Sequence, residues 1–239
     1  MPGDDLGVVV VAFPYSSFAV NLTVLGSFTE TIERLVGRIT HTVSKTGKIV
    51  RRPRLIEDVL KKRSDVLSLA IYPPGEQPDS CVGNQIATCS LYPNAFTLCV
   101  RAGVVYNRDE LVAPVQVLAS EVVYGYIRTG GIRDDLVWGD LGVCKGMAVE
   151  ERRNSDANRW AVVIRKPPVR KLRSVYATNF FRERYFQFEG GYLEDWILNK
   201  GIGQLSEHGG SGLLTWKCDE SERAIASVEL ADLLMAPIV

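Results

Sequence analysis

The chain has 239 residues, enough for one large domain or two small ones, and at this length folding buries roughly 70% of the unfolded surface. Apolar residues make up 46%, charged residues 23%, and lysine plus arginine equals aspartate plus glutamate at 28 each. That balance excludes a disordered or fibrous chain, and it excludes the global field that marks a nucleic-acid binder or an acidic mimic of nucleic acid.

From the N-terminus, Asp4 and Asp5 precede an apolar run, Val8 to Phe13, that is too short and wrongly flanked for a signal peptide. No run approaches the roughly 20 apolar residues that cross a bilayer, so a cytoplasmic protein without a membrane role is expected. Leu6 to Phe13 reads as a strand, Pro14-Tyr15-Ser16-Ser17 as a turn, and Phe18 to Leu25 as a second strand closing a hairpin. Phe28, Ile32, Leu35, Val36, Ile39 and Val43 recur at helical spacing, and Ser27 with Glu30 has the form of a capping box. Residues 41 to 63 carry eight bases (Lys45, Lys48, Arg51, Arg52, Arg54, Lys61, Lys62, Arg63) against two acids. This local charge of +6 predicts a basic loop and short helix; without aromatic residues for bases to stack on, it reads as a solvated face.

The breaker cluster Tyr72-Pro73-Pro74-Gly75-Glu76-Gln77-Pro78 marks a linker or long loop. Ile86 to Leu91 and Ala95 to Val105, joined by Tyr92-Pro93-Asn94, form a predicted hairpin. A helix is expected from Asn107 with Glu110 as capping partner and Leu111, Val115, Leu118 and Val122 on one face; Pro114 moves its start toward Val112 or kinks it. Val122 to Arg128 reads as a strand and Gly130-Gly131 as a turn; Leu136 to Val149 is glycine-broken, Arg159 to Arg165 reads as a strand, and Arg170 to Arg184 shows no clear period. Tyr192 to Asn199 suggests a short helix, Leu213 to Cys218 a strand, and Asp219 to Met235 a helix capped by Asp219 and Glu222.

The chain holds little catalytic grammar. Its two histidines, His41 and His208, are far apart, and its five cysteines (81, 89, 99, 144, 218) have no metal-binding spacing, so they read as reduced core thiols. His208 and Cys218 can be drawn as a nucleophilic pair, although a strand that also carries Trp216 makes a structural thiol the simpler reading. Gly209-Gly210-Ser211-Gly212 lacks the lysine and following helix of a phosphate loop, and Gly201-Ile202-Gly203 lacks the third glycine of a dinucleotide fingerprint. Asp134-Asp135 with Asp140, and Glu150-Glu151, have no metal-ligand spacing. No cofactor, metal or catalytic residue is expected.

From Glu189 onward nine acids face three bases, a local charge of −6. Complementary patches steer encounter with a basic partner. The partner-binding candidates are therefore Glu194, Asp195, Asp219, Glu220, Glu222 and Asp232, with exposed aromatics nearby as anchors.

Five features appear in sequence: Val122-Val123-Tyr124-Gly125-Tyr126 after a helix, Tyr176-Ala177-Thr178-Asn179, the Leu193, Trp196, Ile197 helix, the Thr215-Trp216 strand, and a last helix with Leu230, Leu233 and Leu234. This order resembles bacterial immunity proteins paired with polymorphic toxins, in particular the family numbered fifty-two, over the last half of the chain. The resemblance implies a cytoplasmic antitoxin that binds a toxin delivered by a secretion system, a restriction-endonuclease-like nuclease among the candidates, with no catalytic residues to transfer.

The expectation is a single α+β domain over residues 1–239, antiparallel sheet with helices packed on its faces, any sub-lobe boundary falling near 73–80. The expected function is that of an immunity protein neutralising a cognate toxin; no nucleic-acid partner is expected. The alternatives are a small cytosolic hydrolase using Cys218 and His208, or a nucleic-acid module using Lys45 to Arg63 and Arg159 to Arg184.

Overall fold

The β-branched run Leu6–Pro14 forms β1, which lies between two antiparallel neighbours in the middle of a large sheet. A computed structural model describes residues 6–14, 22–44, 49–51, 66–71, 86–91, 96–101, 108–131 and 170–234. Helix α1 follows at Leu22–Val36, so the expected second strand, Phe18 to Leu25, fails at Leu22–Leu25, and β1 is not half of an opening hairpin. Residues 15–21 lie outside the described set. Because α1 starts at Leu22, Ser27 is inside the helix rather than capping it; its carbonyl accepts from Thr31 Oγ1 at 2.8 Å. Phe28, Ile32 and Val36 form the buried face as their spacing requires, while Gly37, at φ 100°, ends the helix. Ile39 is buried just beyond that end, its N–H donating to Glu33 Oε1 at 2.9 Å, and Val43 belongs to the next strand.

The basic stretch supplies strands β2 (His41–Ser44) and β3 (Ile49–Arg51), where a loop and short helix were expected; residues 52–65 are outside the described set. β4 (Val66–Ile71) and β5 (Ala87–Leu91) pair with each other across the breaker cluster, itself outside the described residues. The β5 and β6 (Phe96–Arg101) hairpin is as expected. A 3-10 turn at Arg108–Val112 leads into α2 (Ala113–Val117), which starts at the Val112 cap with Pro114 in its first turn, where a missing N–H costs nothing. Val122 opens β7 (Val122–Gly131) instead of closing the helix, and Gly130 and Gly131 stay in that strand opposite Gly7 and Leu6.

β8 (Thr178–Arg182) comes from the segment without a sequence period. The two-residue strands β9 (Gln187–Phe188) and β10 (Gly191–Tyr192) make a small ribbon before α3 (Leu193–Lys200). β11 (Gln204–Glu207) and β12 (Leu213–Lys217) form a hairpin, and α4 (Glu220–Glu229) follows, shorter than the expected Asp219–Met235 helix. Among the described residues ten strands join in one antiparallel sheet ordered β11-β12-β8-β7-β1-β6-β5-β4-β2-β3, so the fold is α+β.

Strand alternation divides the apolar residues between two cores. Phe180 and Leu213 join Phe28, Phe96, Leu98 and Val115 under α1 and α2, whereas their neighbours Phe181 and Leu214 join Tyr124, Leu193, Trp216 and Leu230 under α3 and α4. Phe28 meets Phe96 edge to face at 5.2 Å, tying α1 to β6.

Candidate functional site

The acidic C-terminal third is built from α3, the β11–β12 hairpin and α4, all resting on the second core. Trp216 anchors it: the ring is fully buried, Nε1–H donates to the Ile202 carbonyl at 2.9 Å, and Trp196 approaches edge on at 6.3 Å. The chain reaches this contact through Gly201, the left-handed cap of α3 at φ 63°, and Gly203 at φ 78°.

The six candidate acids divide by what their carboxylates do. Glu194 is 6% exposed, and its Oε1 accepts the backbone N–H of Arg184 at 2.7 Å. That bond holds Arg184 at φ 54°, with its guanidinium 5.0 Å over the Tyr192 ring. Asp219 and Glu222 form the expected capping box: Asp219 accepts from the Glu222 N–H at 2.8 Å and the Ser221 hydroxyl at 2.7 Å, and Glu222 Oε2 accepts from the Asp219 N–H at 2.8 Å. The bonds from Glu222 N–H and the Ser221 hydroxyl hold the Asp219 carboxyl below its ordinary range. Glu222 Oε1 also accepts the Gly203 N–H at 2.9 Å, fastening α4 to the loop after α3. These three acids are therefore engaged within the fold. Asp195 is half-buried on α3, while Glu220 and Asp232 face solvent at the start and beyond the end of α4.

Two of the nearby bases are paired. Lys200 meets Glu229 and Lys217 meets Asp109, each at 2.7 Å, and Arg223 Nε donates to the Asp219 carbonyl at 3.3 Å. Among the described residues the exposed large apolar side chains are aliphatic, Leu198 at 67%, Ile225 at 47% and Val228 at 77%, where aromatic anchors were expected. The signal for Ile225 and Val228 was present in the sequence as apolar residues on α4 positions away from Ala226 and Leu230.

The His208 and Cys218 pair does not form. Gln116 Nε2–H donates to His208 Nδ1 at 2.6 Å, and His208 Nε2–H donates to the Thr215 hydroxyl, so both ring nitrogens are occupied. The His208 ring bonds Thr215, which by strand alternation shares the β12 face of Leu213, whereas Cys218 follows the strand and joins Trp216 in the core on the opposite face. Burial, with the Glu222 carboxylate adding to it, pushes the Cys218 thiol up to about 12, far from a thiolate at neutral pH. Gly209, Gly210 and Gly212 serve as the left-handed residues of the β11–β12 turn.

Sequence reasoning also missed Arg182. Its Nη1 donates to the Ser211 carbonyl at 2.7 Å, its Nε to Val122 O at 3.2 Å, and its Nη2 to the carbonyls of Ala119 and Val122, clamping the end of α2 to the hairpin turn. Among the described residues no group of three or more His, Cys, Asp or Glu could hold a metal ion; Asp134, Asp135, Asp140, Glu150 and Glu151 lie outside that set. The basic side chains from Lys45 to Arg63 also lie largely outside it, as does Arg159 to Arg165. Among the described residues no helix is long and apolar enough to cross a membrane. Comparison with protein-family models, curated proteins and solved structures finds no match to this chain.

Proposed function

We propose that the chain is an immunity protein that binds and neutralises a cognate secreted antibacterial toxin, a nuclease delivered by a type VI-like system, in the cytoplasm of the cell it protects. The observation that carries this reading is the outer surface of the C-terminal third, where Glu220 and Asp232 are exposed near the aliphatic side chains Ile225 and Val228 while Lys200 and Lys217 are paired with Glu229 and Asp109. An apolar centre with charged surroundings suits a protein interface, in which charge sets encounter and partner choice. The residues that carry the resemblance support it as well: Tyr124, Tyr126, Leu193, Ile197, Trp216, Leu230 and Leu233 are not scattered but share one core. Glu194, Asp219 and Glu222 position this surface, and Asp195, Glu220 and Asp232 are the acids left to meet a partner.

The test is co-expression with the product of the adjacent gene. Restored growth together with a co-purifying complex is expected. A harmless neighbour that does not co-purify contradicts the reading. A hydrolase acting through Cys218 and His208 would lose activity in Cys218→Ala and His208→Ala, whereas protection by binding survives both substitutions.

A further inference from the structure

β11 stands at one end of the strand order, and among the described residues nothing pairs with its outer side. Which backbone groups lie there follows from the hairpin. The His208 N–H bonds to Leu213 O at 3.1 Å, which makes those two a hydrogen-bonded pair. Bonded and non-bonded pairs alternate along an antiparallel ladder, so Ser206 with Thr215 and Gln204 with Lys217 are bonded pairs as well. The other side of β12 agrees: Glu183 N–H bonds to Gly212 O and Cys218 N–H to Ala177 O, so even-numbered residues there turn to β8 and odd-numbered ones to β11. The N–H and C=O groups of Leu205 and Glu207 therefore point outward, away from β12.

An exposed strand edge is ordinarily blunted by proline, a bulge or charged side chains, lysine above all. β11 is short and carries one charge, Glu207, but it has no proline or lysine, and its register with β12 is regular over four pairs. Its two outward residues are two apart and so share a face. Leu205 is half-buried against the core under α3 and α4. Glu207 is exposed and meets the Gly212 N–H at 3.3 Å, but no base among the described residues. A strand added antiparallel would place one side chain opposite Glu207 and, two residues on, another opposite Leu205. Charge calls for lysine or arginine at the first position, and packing for an apolar residue at the second. A second copy of β11 matches poorly, because it sets Glu207 opposite Leu205 of its mate and brings together two regions of local charge −6.

We infer that the outer side of β11 is a strand-addition site for an extended basic segment of a partner protein, in the order lysine or arginine, any residue, apolar residue. This rests on the proposed function for the partner's identity and adds how the toxin is held: backbone bonds select an extended segment, and Glu207 with Leu205 selects its side chains. The experiment adds a short synthetic threonine-rich peptide, with lysine-threonine-valine at its centre, to the full chain and follows backbone N–H exchange by NMR. In the free chain Leu205 and Glu207 should exchange fast, and Ser206 and His208 slowly. Peptide should protect Leu205 and Glu207, with binding that weakens as salt rises. Glu207→Pro removes one outward donor and no bond to β12, and it should lower affinity about fivefold or more. Glu207→Lys should lower it about threefold or more.

No binding at millimolar peptide, or binding that leaves the Leu205 and Glu207 N–H groups exchanging as in the free chain, overturns the proposal. So does unchanged affinity in Glu207→Lys, the variant that decides if Glu207→Pro loses the cooperative melting of the wild type. Sedimentation showing a wild-type dimer with protected Leu205 and Glu207 N–H groups also overturns it, since a second copy would then hold the edge. The peptide experiment involves no toxin, so a harmless neighbouring gene product defeats the immunity reading and leaves the peptide result standing. Full growth rescue by Glu207→Lys would defeat capture of the toxin through this edge and leave the immunity reading.

Discussion

A Cβ placed on Gly203 would lie 2.6 Å from Trp216 Nε1 and overlap the Lys217 carbonyl oxygen, at a backbone φ of 78°. Gly203→Ala must therefore move the strand or the indole, and it should lower unfolding free energy by about 2 kcal/mol or more in urea titrations. A change under about 0.5 kcal/mol would contradict the packing around Trp216. Cys218 gives a chemical test at the same scale. With its thiol pushed up to about 12, it should resist iodoacetamide in the folded chain near pH 8 and react after unfolding, as resolved by peptide mass spectrometry. His208 gives a pH test. Burial lowers its folded value below 6.5, against a smaller opposing effect of the Glu207 carboxylate. Between those two values the unfolded chain binds a proton that the folded chain does not, so stability is full above about 6.5 and falls as pH drops toward the lowered value. Protonation also gives Nδ1 a hydrogen that points at the Gln116 amide N–H. His208→Gln should flatten the loss of melting temperature between about pH 7.5 and 5.5. It should not abolish that loss, because His41, lowered by burial and by Arg51, contributes with the same sign.

The elements that were legible from sequence are those whose pattern and partners are local. The β5–β6 hairpin, β7, β12 and α3 follow from apolar periodicity and turn chemistry, and the Asp219 and Glu222 box marks the start of α4 because both of its bonds close within four residues. Failures came where distant contacts decide. Leu22-Thr23-Val24-Leu25 alternates like a strand but is the first turn of α1, and the apparent box at Ser27 and Glu30 lies inside that helix. β8 was illegible because its residues serve different faces: Phe180 and Phe181 enter separate cores, Asn179 exchanges hydrogen bonds with both backbone groups of Tyr176, and Arg182 leaves to clamp carbonyls 29 to 63 residues away. Glu194 looked like surface charge for the same reason, and Glu222, read as a cap, has a second bond that spacing alone does not show, since the N–H groups of Arg184 and Gly203 that they accept are distant in sequence. The two acids near the start of α4 can be told apart by substitution. Glu222→Ala strands two backbone donors and should cost about 1 to 2 kcal/mol in urea titration, whereas Glu220→Ala should stay within about 0.5 kcal/mol. Equal effects would contradict the assignment of Glu222 to the fold and Glu220 to the surface.

For the whole molecule, sheet order is what a single sequence conceals most thoroughly. Among the described residues the first strand sits between β6 and β7, β3 and β11 stand at the two ends of the strand order, and four of the nine neighbouring pairs join strands that are not consecutive in the chain. Charge behaves in a similar way. A neutral chain carries +6 over residues 41 to 63 and −6 from Glu189 onward. The structure takes part of the acidic excess into caps and ion pairs, leaving Glu220 exposed at the start of α4 and Asp232 just beyond its end, with Glu189 and the half-buried Asp195 elsewhere on the same third. Under the proposed function the chain is a stoichiometric binder with an interface of ordinary size, about 1,600 Å² in total. The most direct test of this account is calorimetric titration of the purified chain with the purified product of the adjacent gene. A one-to-one complex, with affinity reduced by salt and by joint replacement of Glu220 and Asp232 with lysine, is predicted; absence of binding at micromolar concentrations would contradict it.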